Sequence, residues 1–228
     1  MRAFCDFDGT VSVQDATDFV LSRLADPEWL DIERLWQDRE IGSGECMRRQ
    51  ISLIRATPEQ LDRVLDEVAI DPIFASFVDF CAARDIPITI VSDGVGYFIK
   101  RILSRYGLDH LPVIANRLVV RARSGQPSYG LFSPYADQTC VTTAGVCKCQ
   151  WLGAYGRERI YVGDGRSDFC VSDKPELVFA KGELAQHCLE RGIPFFAYRD
   201  FSDVIAGLRD AVPRFRGEVA DRPRYATA

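Results

Sequence analysis

The segment from Phe4 to Val11, FCDFDGTV, constrains the fold of this chain more than any other. Its first two residues are apolar and predict a buried strand, which runs into Asp6 and Asp8 and then into a Gly-Thr pair suited to a tight turn. Acids two residues apart at a strand end project in the same direction. Carboxylates held so close repel each other unless a cation lies between them or one is protonated, so the pattern favours a Mg²⁺ site with a nucleophile and an acid. The alternative for these residues alone is a strand-to-loop junction with two solvated aspartates.

Three further segments supply partners for this strand end. Residues 87–94, PITIVSDG, predict a second apolar strand that ends in a hydroxyl and a glycine. Lys148 follows near the start of a predicted helix, and it is one of only four lysines in the chain. Residues 160–168, IYVGDGRSD, predict a third strand that ends in two acids four residues apart. Each segment alone carries little information, but their order is consistent with one site.

As a set, these segments resemble the motifs of the haloacid dehalogenase superfamily: a DxD strand end, a Ser/Thr strand end, a lysine and a GDxxxD strand end. The resemblance spans residues 4–168. It points to the phosphatase branch because Asp8 is present, whereas the dehalogenases lack that acid and the ion pumps carry Thr there. It implies a Mg²⁺-dependent phosphomonoester hydrolase that works through an aspartyl phosphate.

The order of the remaining elements predicts an α/β fold. After residue 70 the predicted strands are 88–92, 177–180 and 194–198, and the predicted helices include 183–191 and 202–212. Alternating βαβ units favour a Rossmann-like parallel sheet core with helices on both faces. Ligands bind such sheets at the carboxyl ends of the strands, where the acids and the hydroxyl of the motifs fall. Residues 112–144 fit a hairpin or an ordered loop near the site.

Residues 13–70 lose the strand pattern and show helical periodicity instead, which predicts an inserted helical-bundle cap. The clearest helix begins at Thr57, where Thr-Pro-Glu-Gln supplies an N-cap, a proline at the first helical position and a capping-box partner. A cap that closes over an anionic substrate needs a cation, and Arg48 and Arg49 are candidates, with solvated surface arginines as the alternative. The predicted division is a core of residues 1–12 and 71–212, a cap of residues 13–70 and a flexible tail of residues 213–228.

Length, charge and hydropathy restrict the remaining possibilities. A chain of 228 residues has room for one α/β core and a smaller insertion. Its net charge of -5 argues against non-specific nucleic-acid binding, and the expected partner is a small phosphomonoester. No apolar run approaches the ~20 residues of a membrane span, and a strand follows Met1 and Arg2 at once, so we expect a cytoplasmic protein without a signal peptide. The sequence leaves the oligomeric state open.

The eight cysteines are expected to be thiols in a reducing compartment. Cys5 and Cys81 lie on apolar faces and are expected to act as small hydrophobic residues. Cys140, Cys147 and Cys149 fall within ten residues and could bind a soft metal such as zinc. Against zinc, the CxC spacing lacks a CxxC partner pair, and both histidines are distant in sequence. Reversible oxidation beside the predicted lysine is a second interpretation.

The resemblance implies a role for each residue of the four motifs. Asp6 would attack phosphorus, and Asp8 would donate a proton to the leaving oxygen and then activate water. Ser92 would hold the non-bridging oxygens, while Lys148 and Mg²⁺ neutralise charge; the alternative for the lysine is a solvated surface residue. The implied metal ligands are the carboxylates of Asp6 and Asp164 and the backbone carbonyl of Asp8. Asp168 would bind the metal directly, bind it through a water molecule, or orient the lysine. The implied phosphate or substrate contacts are Gly9, Thr10, Asp15, Arg48, Arg49, Asp93 and Gly94.

Within the superfamily, the position of the cap resembles that of phosphoserine phosphatases, and the chain is closer still to 2-hydroxy-3-keto-5-methylthiopentenyl-1-phosphate phosphatases. The second resemblance rests on Asp15 after the DFDGT segment, PEW at residues 27–29, Phe98 after the second motif and the Cys-rich run before the lysine. The resemblance to phosphoserine phosphatases implies that Asp15 and Arg48 or Arg49 bind the leaving group. Asp15 is one methylene shorter than the Glu of phosphoserine phosphatases, which predicts a small neutral or keto-bearing phosphomonoester rather than phosphoserine.

Three alternative functions are compatible with these residues. A phosphoserine phosphatase or a phosphotransferase would use the same site, since the sequence does not show whether water or another hydroxyl accepts the phosphoryl group. A non-catalytic phosphate-binding module is expected to have lost one of the two acids of the first motif. Both acids are present, which favours an enzyme.

Overall fold

The computed structural model describes residues 1–122, 127–156 and 158–215. Its strands are β1 Arg2–Cys5, β2 Ile88–Val95, β3 Val113–Arg121, β4 Ser128–Phe132, β5 Arg159–Gly163, β6 Leu177–Ala180 and β7 Phe196–Ala197. Its helices are α1 Ala16–Leu24, α2 Trp29–Gln37, α3 Ser43–Ile51, α4 Pro58–Leu65, α5 Phe74–Ala82, α6 Gly96–Ser104, α7 Lys148–Gly153, α8 Gly182–Arg191 and α9 Phe201–Phe215. A short 3₁₀ helix, Arg166–Asp168, follows β5.

Strand β1 lies at the centre of a seven-stranded sheet ordered β4-β3-β2-β1-β5-β6-β7. It pairs in parallel with β2 on one side and with β5 on the other. The strand order therefore reverses its direction at β1, and a crevice opens at the carboxyl end of this strand. Strand β4 forms an antiparallel hairpin with β3, and residues 123–126 between them lie outside the described residues. The predicted α/β fold is confirmed, with a mostly parallel sheet.

Side chains alternate between the two faces of the sheet, as the period of a strand requires. In β1, Ala3 and Cys5 belong to one buried cluster and Phe4 to another. Helices α5, α6 and α9 cover the first cluster, and α7 and α8 cover the second. Helices therefore lie on both faces, as predicted.

Four helices, α1 to α4, connect β1 to α5. Helix α4 begins with the predicted capping box, in which Gln60 N–H donates to Thr57 Oγ1 at 3.3 Å and Thr57 N–H donates to Gln60 Oε1 at 2.8 Å. The guanidinium of Arg101 on α6 binds Asp66, directly after α4, through two hydrogen bonds of 2.7 and 2.9 Å. Helices α2 and α3 pack together and border the crevice at the carboxyl end of the sheet.

Two elements extend three residues beyond the sequence prediction. Strand β2 continues to Val95, so Ser92 lies inside the strand, beside an irregularity in its register with β3. Helix α9 continues to Phe215, so residues 213–215 of the predicted tail are helical, and residues 216–228 lie outside the described residues. Across the described ranges, every helix is too short or too polar to cross a membrane.

Candidate active site

Three of the predicted motifs meet at the carboxyl end of β1. Asp6 and Asp8 follow β1, Ser92 lies in β2 and Asp164 follows β5. Their side chains border one cavity of about 890 Å³, whose wall also includes Asp15. The parallel pairing of β1 with both neighbouring strands brings these groups together.

Lys148 carries the positive charge that faces Asp6. Its side chain is fully buried at the start of α7, and its Nζ lies 2.9 Å from Asp6 Oδ1. The same carboxylate oxygen accepts the N–H of Phe7 at 2.8 Å. Burial raises the pKa of Asp6 well above its usual range, and the charge of Lys148 opposes that rise. The lysine therefore favours the ionised form of Asp6 and occupies only one of its two oxygens.

Asp168 holds the lysine and the loop after β5. Its Oδ1 accepts hydrogen bonds from Lys148 and Tyr161, each at 2.5 Å, and its Oδ2 accepts the N–H groups of Asp164 and Gly165 at 2.9 and 3.1 Å. Burial lowers the pKa of Lys148, but the charge of Asp168 helps to outweigh that effect and the pKa is raised, so the ammonium stays protonated. With these four donors and the hydroxyl of Ser167 at 3.5 Å on its oxygens, Asp168 acts as the partner of the lysine, one of the three roles that the sequence left open.

Asp8 occupies a different environment from Asp6. Its Oδ1 accepts the N–H of Ala16 at 2.8 Å, and the hydroxyl of Ser92 lies 3.5 Å from its Oδ2. Burial, followed by the negative charge of Asp15, raises the pKa of Asp8 well above its usual range. A carboxyl group that holds its proton beside one that is paired with an ammonium is the arrangement that acid–base catalysis requires.

Ser92 and Gly94 pack closely against Asp8 in the cavity wall. The N–H of Gly94 donates to Ser92 Oγ at 2.9 Å. A Cβ on residue 94 would lie 2.2 Å from Asp8 Oδ2 and 3.0 Å from Ser92 Oγ. Only glycine leaves room for the carboxyl group of Asp8 at this position.

Gly9 and Thr10 lie behind the site, outside the cavity wall. Gly9 has φ +71°, and a Cβ there would lie 2.4 Å from Asp164 Oδ2. The buried hydroxyl of Thr10 donates to Asp164 Oδ1 at 2.7 Å. Both residues therefore help to position Asp164, and their implied contact with phosphate stays a prediction. Burial, followed by the charge of Asp168, raises the pKa of Asp164 to about 6.

The charge of the site fits a divalent cation. Carboxylate oxygens of Asp6, Asp164 and Asp168 lie within 4.8 Å of one another and face one buried ammonium, that of Lys148. Within the described residues, Asp6 and Asp164 each keep one oxygen that accepts no hydrogen bond. Hard oxygen donors of this kind suit Mg²⁺. Three buried carboxylates beside one lysine leave negative charge unbalanced, so the donor set fits Mg²⁺ held by Asp6 and Asp164.

Protein donors occupy the carboxylate of Asp93. Its Oδ2 accepts the hydroxyl of Ser43 at 2.7 Å, and its Oδ1 accepts the N–H of Val146 at 3.1 Å and the amide of Asn116 at 3.3 Å. Ser43 begins α3, and Val146 lies two residues before Lys148. These hydrogen bonds tie an inserted helix to the core and to the segment that carries the lysine. Asp93 also borders the cavity, so its implied contact with substrate stays a prediction.

The structure places Arg48 and Arg49 outside the cavity wall, so it lends no support to their implied contact with substrate. Both are exposed, and Arg49 pairs with Glu45 on its own helix at 3.6 Å. The helical pattern identified a polar face but not the direction in which that face points. The arginines that border the cavity are Arg39, Arg166 and Arg191.

Arg166 and Trp36 join the core to the inserted helices at the cavity. The guanidinium carbon of Arg166 lies 4.6 Å from the centroid of the Trp36 ring, in a cation–π contact. Arg166 belongs to the 3₁₀ helix after β5, and Trp36 belongs to α2. Sequence reasoning missed this contact, although Arg166 stands between the two acids of the last motif, which was a usable signal.

Comparisons with known proteins agree with this geometry. The family model of haloacid dehalogenase-like hydrolases matches residues 3–172. A 2-hydroxy-3-keto-5-methylthiopentenyl-1-phosphate phosphatase from Brevibacillus brevis is 28% identical over 207 residues, which cover 89% of this chain and 92% of the relative. A polyol phosphate phosphatase from Saccharomyces cerevisiae is 25% identical over 223 residues, 92% of each protein. A solved phosphoserine phosphatase with a phospho-aspartyl intermediate analogue matches with a TM-score of 0.66 and 19% identity, over 90% of this chain and 96% of that chain.

The similarity to the solved structure concerns the fold, since the sequence identity is low. The family model is more informative because its match includes all four predicted motifs, from the paired acids after β1 to Asp168. The prediction of the superfamily is confirmed: the chain belongs to the haloacid dehalogenase-like hydrolases.

Proposed function

We propose that the chain is a Mg²⁺-dependent phosphomonoester hydrolase that works through an aspartyl phosphate on Asp6. The observation that carries this proposal is the contrast between two acids in one cavity. Burial raises the pKa of both acids, but the ammonium of Lys148, 2.9 Å from Asp6, opposes that rise for Asp6, whereas Asp8 contacts a backbone N–H and a hydroxyl instead. Such a pair suits a nucleophile and a general acid. The family match and the names of the relatives, which are phosphatases, support the same reaction.

In the first step, a carboxylate oxygen of Asp6 forms a bond to phosphorus while the bond from phosphorus to the leaving oxygen breaks. Asp8 gives its proton to the leaving oxygen, which departs as an alcohol. Lys148 favours the ionised form of Asp6, and the hydroxyl of Ser92 in the cavity wall binds a non-bridging oxygen. Mg²⁺ held by Asp6 and Asp164 would supply a Lewis acid that offsets the negative charge of the phosphoryl group.

In the second step, the ionised Asp8 takes a proton from a water molecule, whose oxygen attacks phosphorus. The bond between phosphorus and Asp6 breaks, which releases inorganic phosphate and restores the carboxylate of Asp6. Asp8 is then protonated again, so the site returns to its starting state. A phosphotransferase would differ only in using an alcohol instead of water in this step.

The Asp8→Asn variant tests the proposed acid. We expect kcat/KM for alkyl phosphates to fall about 10²–10⁴-fold, because the leaving alkoxide no longer receives a proton. The loss for para-nitrophenyl phosphate should be much smaller, since para-nitrophenolate departs without protonation. Steady-state kinetics with both substrates measures the contrast, and Asp109→Asn, which changes an exposed aspartate outside the cavity wall, serves as a matched control. Equal losses on both substrates would remove Asp8 from the acid role.

We propose that helices α1 to α4 form the predicted cap and select the leaving group. Ser12 and Ile70 form an antiparallel bridge, so residues 13–70 leave and rejoin the core at one place. Helix α2 supplies Trp36 to the cavity wall, and α3 supplies Gln50.

The predicted cytoplasmic location stays a prediction.

The substrate that we propose is a small neutral or keto-bearing phosphomonoester. Asp15 borders the cavity, but its Oδ1 accepts the N–H of Asp18 at 2.9 Å as the N-cap of α1. A short carboxylate engaged in this way is a weak partner for the amine of phosphoserine. Glu33 and Asp18 add negative charge to the same wall, where they can accept hydrogen bonds from hydroxyl groups of a neutral substrate.

A panel of phosphorylated metabolites tests this choice. We expect phosphoserine to have a lower kcat/KM than neutral phosphomonoesters that carry hydroxyl or keto groups. The Arg166→Ala variant should change the ranking, because Arg166 borders the cavity, whereas Arg48→Ala should leave it unchanged. A panel in which phosphoserine has the highest kcat/KM would contradict the proposed substrate class without affecting the proposed reaction.

A further inference from the structure

Three cysteine sulfurs converge beside the segment that carries Lys148. The Sγ atoms of Cys140, Cys147 and Cys149 all lie within 4.8 Å of one another. The closest pair, Cys147 and Cys149, is separated by 3.2 Å, and the Cys140 and Cys149 sulfurs are separated by 4.0 Å. Two of these residues are buried and Cys149 is half-buried.

Cys170 approaches the same cluster from another part of the chain. Its side chain is buried, contacts the thiol of Cys140 and meets the backbone of Cys149. Cys170 follows the 3₁₀ helix after β5, whereas the other three cysteines lie just before or at the start of α7. The fold therefore brings a fourth cysteine to the edge of the cluster, outside the set of three sulfurs that all lie within 4.8 Å of one another.

The distances suit a tetrahedral metal better than a disulfide. A tetrahedral site with Zn–S bonds of about 2.3 Å places its sulfurs about 3.8 Å apart, and the separations of 3.2 and 4.0 Å lie on either side of that value. A disulfide requires sulfurs about 2.05 Å apart, and all eight cysteines are free thiols. Packing as small hydrophobic residues explains isolated cysteines such as Cys81 and Cys188, but not sulfurs gathered from two segments.

We propose that Cys140, Cys147 and Cys149 bind a structural zinc ion, with Cys170 as the fourth ligand, whose sulfur would move closer to the other three when the ion binds. Each thiol would lose its proton on binding, so the ion would be held by four thiolates and released by acid or by strong chelators. The site is separate from the Mg²⁺ site, whose donors are carboxylate oxygens.

The position of this site indicates which part of the active site zinc would stabilise. Lys148 lies between two of the proposed ligands, and its Nζ reaches Asp6 and Asp168. Cys170 follows Asp168 by two residues. Zinc bound by these cysteines would fasten the first turn of α7 to the segment after β5. It would thereby hold the backbone of both members of the Lys148–Asp168 pair in place.

The first test is metal analysis of the full chain, expressed without a metal-binding tag in zinc-supplemented medium and dialysed against zinc-free Mg²⁺ buffer. We expect a stoichiometric amount of zinc. Cobalt exchanged into the chain should show the intense near-ultraviolet absorption of thiolate-to-cobalt charge transfer. Cys147→Ala and Cys170→Ala should each lower the retained zinc strongly, whereas Cys188→Ala, which removes a buried thiol on the same face of the sheet, should retain it.

A second measurement on the unmodified chain guards against variants that fail to fold. Alkylation followed by peptide mass spectrometry should show that zinc protects the four cluster cysteines and leaves the reactivity of Cys188 unchanged. A chain that retains no zinc, or whose cluster cysteines react equally with and without zinc, would overturn the proposal. A disulfide within the cluster of the freshly purified chain would do the same. Zinc retention does not depend on turnover, so a failure of the zinc proposal can be distinguished from a failure of the proposed phosphatase activity.

Discussion

Replacement of Asp6 by asparagine is expected to abolish turnover of phosphomonoesters, with kcat falling by roughly 10⁴-fold or more, the scale seen when a nucleophile is removed. The amide nearly preserves the shape of the side chain but is a far poorer nucleophile and a weaker ligand for Mg²⁺. It also removes the negative charge that faces Lys148 at 2.9 Å. Initial rates with para-nitrophenyl phosphate and with the best metabolite of the panel provide the measurement.

The matched control for this variant is Asp109→Asn, which neutralises an exposed aspartate remote from the cavity wall. It should keep the parent rate. Thermal unfolding of Asp6→Asn should show a cooperative transition, so that loss of activity is not loss of fold. Residual activity of Asp6→Asn within tenfold of the parent would contradict the role of Asp6 as the nucleophile.

Replacement of Lys148 by alanine has the second-largest expected effect. We expect kcat to fall about 10²–10³-fold, the scale of losing one preorganised charge that stabilises a transition state. The variant also leaves Asp6 and Asp168 buried without their shared ammonium, and breaking a buried ion pair costs about 3–5 kcal/mol. The unfolding free energy should therefore fall together with the rate.

Two comparisons separate the catalytic effect from the structural one. Lys148→Met keeps most of the buried volume, so its rate, measured on chain shown to be folded, reports the loss of the charge. Lys174→Ala removes an exposed lysine that pairs with Asp173, and it should change neither rate nor stability appreciably. A greater loss of rate in Lys174→Ala than in Lys148→Ala would mean that the wrong lysine has been assigned to the site.

The sequence predicts the chemistry at the strand ends well because those signals are local. Asp6 and Asp8 stand directly after an apolar strand, and the parallel pairing of that strand with β2 and β5 brings Ser92 and Asp164 to the same edge. Lys148 could be chosen because the chain has only four lysines. Each of these inferences needed the order of elements but no knowledge of how the helices pack.

The residues that the sequence could not assign depend on orientation across elements. Arg48 and Arg49 lie on a polar helical face, but the packing of α3 directs that face away from the cavity. Thr10 belongs to the first motif, yet its hydroxyl binds Asp164, which is 154 residues away in the chain. The approach of Cys170 to the cysteine cluster likewise results from the parallel sheet, which no spacing rule describes.

The same distinction applies to Asp93. Its place beside Ser92 implied a contact with substrate, because the sequence shows the strand but not the donors around it. Ser43, Asn116 and Val146 come from three separate segments and occupy its carboxylate. A buried polar group is satisfied by whatever the fold brings near it, so its role is decided by tertiary structure.

Direct capture of the phosphorylated enzyme tests the central claim, that Asp6 is the covalent nucleophile. The Asp8→Asn variant should accumulate the aspartyl phosphate, because its hydrolysis lacks a base. Rapid mixing with substrate and Mg²⁺, followed by borohydride reduction and peptide mass spectrometry, should convert Asp6 alone to homoserine, and only when substrate and Mg²⁺ are both present. Turnover without any modified Asp6, or with the modification at another residue, would contradict the assignment of Asp6 as the covalent nucleophile.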